Sequence, residues 1–339
     1  MKTIKTLSMT LGMSLGITLG ASQVNAADQV RMGTIAPGTS AYQVMTTMAS
    51  MVNRANVGVE VKVDATGSAA KHQVDMAQGK LDVAMTAPEL YGFMVDGTKM
   101  YSKMKSAPEL SKNVGLIYWF PYGAFHYVTY ADSGIKTLKD LKGKKVFLGP
   151  PGGGAWVTAN AWVESTTGLK QGKDYENVRA SWASALQGFQ DRQFDVYVTG
   201  GIPPFPQVEQ LALTSKLRLL GLNTEQAMEA DEAMLKPVKA LGRFMDVINE
   251  GTYDNVETDG DIHTIGATVG VVARMDLSED TVYRMTKAFW ENLEEEAKTA
   301  PYLKRVNIKR AFSAQNMKLH PGALKYYREI GLAVSAAMQ

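Results

Sequence analysis

The chain of 339 residues contains no cysteine. Disulfide bonds and thiolate chemistry are therefore excluded, and so is a lipid anchor attached to a cysteine at the end of a leader peptide. The folded protein must obtain its stability from a well-packed core instead.

Clustered metal ligands and recognisable catalytic groups are also missing. The four histidines, at positions 72, 126, 263 and 320, are scattered, and none has a partner at the spacing of a metal site. No nucleophile stands with a base, and no acid–base pair can be singled out among the 34 acidic residues. We therefore expect a protein that is not an enzyme and that holds no metal and no cofactor.

The chain has little excess charge, with 36 basic and 34 acidic residues. Residues 1–26 contain Lys2 and Lys5 and no acid, so removing them would leave 34 residues of each sign. A neutral chain has no overall field to attract nucleic acid or an anionic membrane. Nucleic acid is accordingly not an expected partner.

The N-terminus has the pattern of a secretory leader. Lys2 and Lys5 precede a mostly apolar run at Leu7–Leu19, and the small residues around Ala26 suit a signal peptidase. The run is short for a membrane span, and no second long apolar segment follows. We predict that residues 1–26 are a signal peptide, that cleavage occurs before Ala27, and that the mature chain is periplasmic.

Strands and helices alternate along the mature chain. The apolar patterns predict helices at 41–54, Ser68–Gln78 and Leu277–Lys298, and strands at Val30–Gly33, Val59–Val63, Asp82–Met85, Leu116–Tyr118, His126–Tyr130, Phe194–Val198 and Thr264–Ala273. Such alternation favours parallel sheets covered by helices, in a chain long enough for two lobes. Open sheets of this kind bind ligands beyond the carboxyl ends of their strands.

The segment Ala131–Ala159 carries the clearest binding pattern. A short helix at Thr137–Leu141 and a strand at Lys145–Leu148 lead into a glycine-rich turn, and a second helix opens near Ala155. Glycines allow close approach of a ligand, and unpaired N–H groups at a helix start favour an anion. The segment is not a P-loop, because Ala and Trp follow the last glycine. The predicted contacts are Gly152, Gly153, Gly154, Ala155, Trp156 and Thr158.

Other candidate contacts each have a structural alternative. The turn Thr66, Gly67 and Ser68 follows a strand and would present free N–H groups, or Ser68 is only a helix cap. Ser40 and Tyr42 are either site residues or cap and core, and Glu89 could contact an amine. The remaining candidates form either a ligand-contacting loop or a plain strand-to-helix turn: Gly200, Gly201, Ile202 and Pro203.

The ordered set of these motifs resembles the TAXI-type solute receptors, which are binding subunits of tripartite ATP-independent periplasmic (TRAP) transporters. The segment Ala131–Ala159 is its strongest part. Elsewhere the resemblance is carried by Met32-Gly33-Thr34, Thr39–Tyr42, Ala65–Ser68, Gly79–Ala84, Phe194–Tyr197, Gly200–Pro203 and Val271–Leu277. The first loop has fewer glycines than the family pattern, and one tyrosine where the family has a pair.

The resemblance implies an α/β, two-lobed, periplasmic-binding-protein-like (type II) fold. Two crossover strands, at His126–Tyr130 and Thr264–Val272, would join lobe I (27–130 and 266–339) to lobe II (131–265), with a ligand cleft between them. The implied function is capture of a small anionic solute by a monomer that delivers it to integral-membrane TRAP subunits. Glutamate or a related C5 dicarboxylate such as 2-oxoglutarate is the implied ligand. A sensory input protein for a membrane kinase, or an enzyme on the same scaffold, remains as an alternative.

Overall fold

The structure is a computed structural model, and it describes residues 27–35 and 37–339. The predicted signal peptide lies outside the described residues. No helix in the described part of the chain is both long and apolar enough to cross a membrane.

The described residues form a mixed α/β fold. The strands are β1 (Asp28–Gly33), β2 (Val59–Asp64), β3 (Val83–Thr86), β4 (Val114–Tyr130), β5 (Lys145–Phe147), β6 (Glu176–Asn177), β7 (Val196–Gly201), β8 (Leu217–Leu220), β9 (Phe244–Ile248), β10 (Val256–Glu257) and β11 (Ile262–Arg274). The α-helices are α1 (Ser40–Ala55), α2 (Ala69–Ala77), α3 (Pro88–Asp96), α4 (Ala107–Ser111), α5 (Gly154–Thr167), α6 (Trp182–Gln190), α7 (Pro206–Ala212), α8 (Thr224–Glu229), α9 (Glu232–Lys239), α10 (Glu279–Thr299) and α11 (Pro321–Glu329). Short 3₁₀ helices lie at Lys99–Tyr101, Ala131–Ser133, Leu138–Leu141, Pro301–Arg305, Ile308–Arg310 and Ala336–Met338.

One curled sheet runs through the molecule in the order β2-β1-β3-β11-β4-β7-β5-β6. The long strands β4 and β11 pair with each other and extend into both ends of the sheet. The first part of β4 lies beside β11, which pairs with β3, whereas residues 124–130 pair with β7 and β8. We call the end around β1–β3 the first lobe and the end around β5–β8 the second lobe. The expected two-lobed α/β fold with two crossover strands is confirmed.

Two details of the sheet differ from the prediction. The separate strands expected at Leu116–Tyr118 and His126–Tyr130 are one continuous strand, β4, in which every residue is buried. Pro121 and Gly123, with φ +102° at the glycine, interrupt the apolar pattern inside β4 and made one strand look like two. The sheet is also mixed rather than parallel, because β4 and β11 run antiparallel to their neighbours.

Helix starts follow the local capping residues. Ser68 accepts a hydrogen bond from the Lys71 N–H, so α2 begins at Ala69 and not at Ser68 itself. Ser278 caps α10 in the same way, as the sequence predicts. The short helix predicted at Thr137–Leu141 is a 3₁₀ helix with Thr137 as its cap. The predicted starts are therefore correct to within about two residues.

The core confirms the expected role of the α1 methionines. Met45, Met48 and Met51 are fully buried beneath the first lobe. A second, smaller cluster lies in the second lobe, where the ring of Phe147 stacks on Tyr197 at a centroid distance of 5.5 Å. The larger cluster extends from the first lobe into the second, where it includes Trp162 and Val196, so the lobes share part of their core.

Candidate functional site

A cavity of about 580 Å³ lies between the two lobes. Its walls are mainly apolar and come from both lobes. They include Ile35, Met85, Leu90, Tyr122, Phe125, Trp182 and Val269. The volume and the lining match those of small-molecule sites, in which a few polar groups are set among apolar walls.

Four helices begin at this cavity. The first residues of α2 and α3 reach it from the first lobe, and those of α5 and α6 reach it from the second. Each helix N-terminus carries a partial positive charge of roughly half an elementary charge, concentrated on its unpaired N–H groups. Four such ends around one space create a positive potential without requiring many basic side chains.

The caps leave N–H groups available at these helix starts. Ser181 accepts from the Ser184 N–H at 3.2 Å, as Ser68 does from Lys71 at 3.4 Å, so each serine satisfies only the third N–H of its helix. In α5 the cap is Gly153, which has no side chain to donate or accept. The first backbone bond of α5 runs from Val157 N–H to the Gly153 carbonyl at 3.3 Å. The N–H groups at 154–156 therefore have no partner within the helix.

Gly154 lets the two lobes approach closely. A Cβ atom at this position would lie 3.0 Å from Glu89 Oε1 and 3.6 Å from Leu90 Cγ, both in the first lobe. A Cβ here would push the Glu89 side chain back by a few tenths of an ångström, so glycine permits the close approach of the α5 start to the α3 start. Gly152, two residues before Gly154, has φ +73°, a conformation that favours glycine.

A buried ion pair lies at the base of the cavity. Arg243, directly before β9 of the second lobe, donates Nη2–H to Glu89 Oε1 and Nε–H to Thr158 Oγ1, the latter at 2.9 Å. The two charged side chains are 3% and 4% exposed. Burial raises the pKa of the Glu89 carboxyl, and the nearby Arg243 guanidinium opposes part of that rise.

This ion pair is incompletely satisfied. Arg243 Nη1 and Glu89 Oε2 are buried and have no hydrogen-bond partner in the structure. The hydroxyl of Tyr122, which also lines the cavity, has none either. Buried polar groups without partners are uncommon in folded proteins and mark a place where a bound molecule can supply the missing bonds.

Seven of the residues predicted from the sequence line the cavity. They are Thr66, Gly67, Ser68, Glu89, Gly153, Gly154 and Ala155. For Glu89, the predicted amine contact is replaced in this structure by the guanidinium of Arg243. Thr158 lies behind the cavity, fully buried, and holds Arg243 instead of facing the open space.

The other predicted residues are not among those that line the cavity. The Trp156 indole donates to Gln171 Oε1 at 2.9 Å, which directs it elsewhere, and Gly152 lies beside the lining turn. Ser40 accepts a hydrogen bond at 2.9 Å from the Ile202 N–H and so joins the lobes, while Tyr42 donates its N–H to the Thr39 cap.

The segment 200–203 supports the site from behind. A Cβ at Gly200 would lie 2.1 Å from the Tyr122 ring, and one at Gly201 would lie 2.2 Å from Phe205. Gly200 thus allows the ring of Tyr122, which lines the cavity, to pack closely against β7. Ile202 is buried next to these glycines, and Pro203 also lies outside the lining.

Sequence reasoning missed Arg243, Tyr122 and the start of α6. Ser181 ahead of Trp182 is a helix-cap pattern that could have identified the α6 start. Nothing around Arg243 distinguishes it from other basic residues near a strand, and it meets Glu89 from 154 positions away. Within the described residues, no group of three or more histidine or acidic side chains is placed to hold a metal.

Comparison with protein families gives a match to the model of the NMT1-like family over residues 32–331. Among solved structures, the chain is similar to a TRAP periplasmic solute binding protein from Sulfitobacter sp. NAS-14.1 with bound β-D-galacturonate, at 12% identity over 89% of this chain and 94% of that chain, with a TM-score of 0.47. It is similar to the alkanesulfonate-binding protein SsuA from Xanthomonas axonopodis pv. citri bound to MOPS, at 15% identity over 92% of this chain and 97% of that chain, with a TM-score of 0.47. A third similar structure is DctP7, a Bordetella pertussis extracytoplasmic solute receptor binding pyroglutamic acid, at 13% identity over 90% and 92% of the two chains, with a TM-score of 0.46.

Proposed function

The chain belongs to the NMT1-like family, and we propose that it is an extracytoplasmic solute receptor that captures a small organic anion between its two lobes. One observation carries this proposal. Four helix N-termini meet at a single cavity of about 580 Å³, which is also lined by Arg243, a buried cation whose Nη1 has no partner. An anionic group accepts hydrogen bonds from such donors and is stabilised by their partial charges.

The arrangement supports capture rather than chemistry. The titratable side chains at the cavity are Lys71, Glu89 and Arg243, together with the Tyr122 hydroxyl. Glu89 and Arg243 bind each other, and Lys71 contacts Asp75 at the surface. None of these groups is a nucleophile activated by a neighbouring base.

The predicted leader and the resemblance to TAXI-type receptors support a periplasmic protein that delivers its solute to integral-membrane TRAP subunits. In this proposal the lobes comprise residues 27–130 with 266–339 and residues 131–265, and ligand binding closes them by a hinge motion through β4 and β11. Glutamate and C5 dicarboxylates such as 2-oxoglutarate are the first ligands to test, because the resemblance implies them.

A thermal-shift screen of small carboxylates on the protein purified from the periplasm tests this function. A ligand at 100 times its Kd stabilises the folded state by about 2.7 kcal/mol. The matched controls are the neutral amides of the same acids, which keep the carbon skeleton and lose the negative charge. The proposal is wrong if no acid raises the melting temperature, or if the amides raise it as much as the acids do.

A further inference from the structure

We infer that the ligand carries a hydrogen-bond donor beside a single carboxylate, on an otherwise apolar skeleton, as an α-hydroxy or α-amino monocarboxylate does. This inference rests on the proposed function, because it specifies the chemistry of the anion that the same cavity takes. Three features of the cavity support it: the two unpartnered atoms of the ion pair, the charge balance and the walls.

The unpartnered atoms are of opposite kinds. Arg243 Nη1–H can only donate, and Glu89 Oε2, in the carboxylate bound to a guanidinium, can only accept. Both belong to the same ion pair. Nη1 shares its carbon with Nη2, and Oε2 shares its carbon with Oε1, and Nη2 and Oε1 are the two atoms in contact. A ligand that satisfies both unpartnered atoms offers one acceptor and one donor, as a carboxylate with an α-hydroxy or α-ammonium group does.

The charges favour one carboxylate over two. Glu89 and Arg243 cancel each other, and Lys71, the remaining charged side chain in the lining, contacts Asp75. The positive potential that remains comes from the four helix ends, whose partial charges act on an anionic group only within about one helical turn. A second carboxylate would have no buried cation of its own and would keep a desolvation penalty.

The walls favour an apolar remainder. Away from the ion pair, the cavity is lined by Ile35, Met85, Leu90, Phe125, Trp182 and Val269. Aliphatic carbons buried against these side chains are stabilised by about 25 cal/mol per Å² of apolar surface removed from water. Polar atoms placed there would lose hydration without gaining a partner.

Calorimetric titration with one carbon skeleton tests the inference. The probes are 4-methylpentanoate, its 2-hydroxy and 2-amino derivatives, and its 2-oxo derivative, with glutamate and 2-oxoglutarate as the dicarboxylate arm. We expect the 2-hydroxy or the 2-amino acid to bind about 10- to 100-fold more tightly than both the parent acid and the 2-oxo acid, as one hydrogen bond to a charged group does. The better of these two identifies the donor as a hydroxyl or an ammonium group.

The variant Glu89→Gln replaces a hydrogen-bond acceptor by a donor while the side chain keeps nearly the same shape. Its carbonyl oxygen can still accept from Arg243, while its NH₂ group replaces Oε2 and now donates. We expect the advantage of the donor-bearing acids over the 2-oxo acid to disappear in Glu89→Gln and to persist in the control Glu109→Gln, whose carboxylate is exposed and contacts only Lys112. Urea unfolding of both variants confirms that they are folded.

The outcomes separate the inference from the proposed function. If acids bind but the donor-bearing members have no advantage, or the dicarboxylates bind more tightly than the monocarboxylates, the inference is overturned while the receptor function stands. If Glu89→Gln leaves the preference for donor-bearing acids unchanged, Glu89 does not bind the donor group of the ligand and the inference is again overturned. If no carboxylate binds, in this series or in the thermal-shift screen, the proposed function is overturned and the inference with it.

Discussion

Replacing Arg243 by methionine tests the buried ion pair most directly. The substitution removes the guanidinium and keeps an apolar stem of similar shape, so Glu89, whose side chain is 4% exposed, loses its partner in a water-free position. A buried carboxylate without a partner takes up a proton instead of remaining charged. The cost to stability is then the free energy of protonating an ordinary carboxyl at the pH of the measurement.

That cost follows from the pH. For a glutamate with a pKa of 4.5 in the unfolded chain, protonation costs about 3.4 kcal/mol at pH 7 and about 0.8 kcal/mol at pH 5. In this variant the pKa of Glu89 is higher in the folded than in the unfolded protein. The loss of folding stability is therefore present at neutral pH and disappears as the pH falls toward the pKa of the unfolded chain. The hydroxyl of Thr158 also loses the hydrogen bond from Nε, which adds about 1 kcal/mol at either pH.

Urea unfolding of Arg243→Met at pH 7 and pH 5 is the assay. We expect a loss in the free energy of unfolding of about 4 kcal/mol at pH 7 and about 2 kcal/mol at pH 5. The double variant Glu89→Gln, Arg243→Met has neither charge of this ion pair, so it should recover most of the loss at pH 7, and its difference in stability from the parent should depend little on pH. Lys112→Met, at an exposed ion pair with Glu109, is the control and should unfold as the parent does.

Binding separates the two roles of Arg243. The double variant should remain at least 10-fold weaker than the parent for the best carboxylate, because the donor Nη1 is gone even though the fold is restored. Two results would refute the reasoning: an Arg243→Met protein as stable as the parent at pH 7, or a stable double variant that binds carboxylates with unchanged affinity.

Three further predictions concern the lobe contact, the buried histidines and the leader. Gly154→Ala should keep or slightly raise folding stability, because alanine favours a helix. It should weaken ligand binding several-fold, because its Cβ would lie 3.0 Å from Glu89 Oε1. Unchanged affinity in calorimetry would contradict the close approach of the lobes. Burial lowers the pKa of His126 to about 3 and of His320 to about 4. Below pH 6.5 the unfolded chain therefore binds more protons than the folded protein. Each histidine should remove about 2 kcal/mol of folding stability as the pH falls from 7 to 5. Urea unfolding of His126→Gln should show a smaller loss over that range than the parent, and an equal loss would contradict this assignment. Mass spectrometry of the periplasmic protein should give Ala27 as the first residue, whereas an intact Met1 would exclude the predicted cleavage.

Local signals in the sequence predicted a large part of the fold and one side of the site. Ser68 and Ser278 mark helix starts through their own side chains, and the glycine turn before α5 shows where the backbone approaches the cavity. The methionines of α1 show the core through their spacing alone. Each of these patterns depends on residues a few positions apart, which a single sequence displays directly.

What the sequence could not predict depends on contacts between distant segments. Arg243 has an ordinary position before a short strand, and its importance comes from Glu89 and Thr158, which lie 154 and 85 positions away. The continuity of β4 likewise depends on neighbours on both sides that bury all 17 residues. Such features are properties of the assembled fold, and no local periodicity carries them.

The charged and the apolar residues of the cavity have separate roles, and this affects how its ligand selectivity can be changed. Glu89 and Arg243 hold each other across the lobes, so replacing either one alone leaves the other buried without its partner and lowers stability by several kcal/mol. Ile35, Phe125 and Trp182 are uncharged, so replacing one of them by another apolar residue leaves no unpaired buried ion. Substitutions of these three can alter the size and shape of the accepted side chain one at a time. A panel of ligand sensors could therefore be built from this chain by varying the wall around an unchanged anchor.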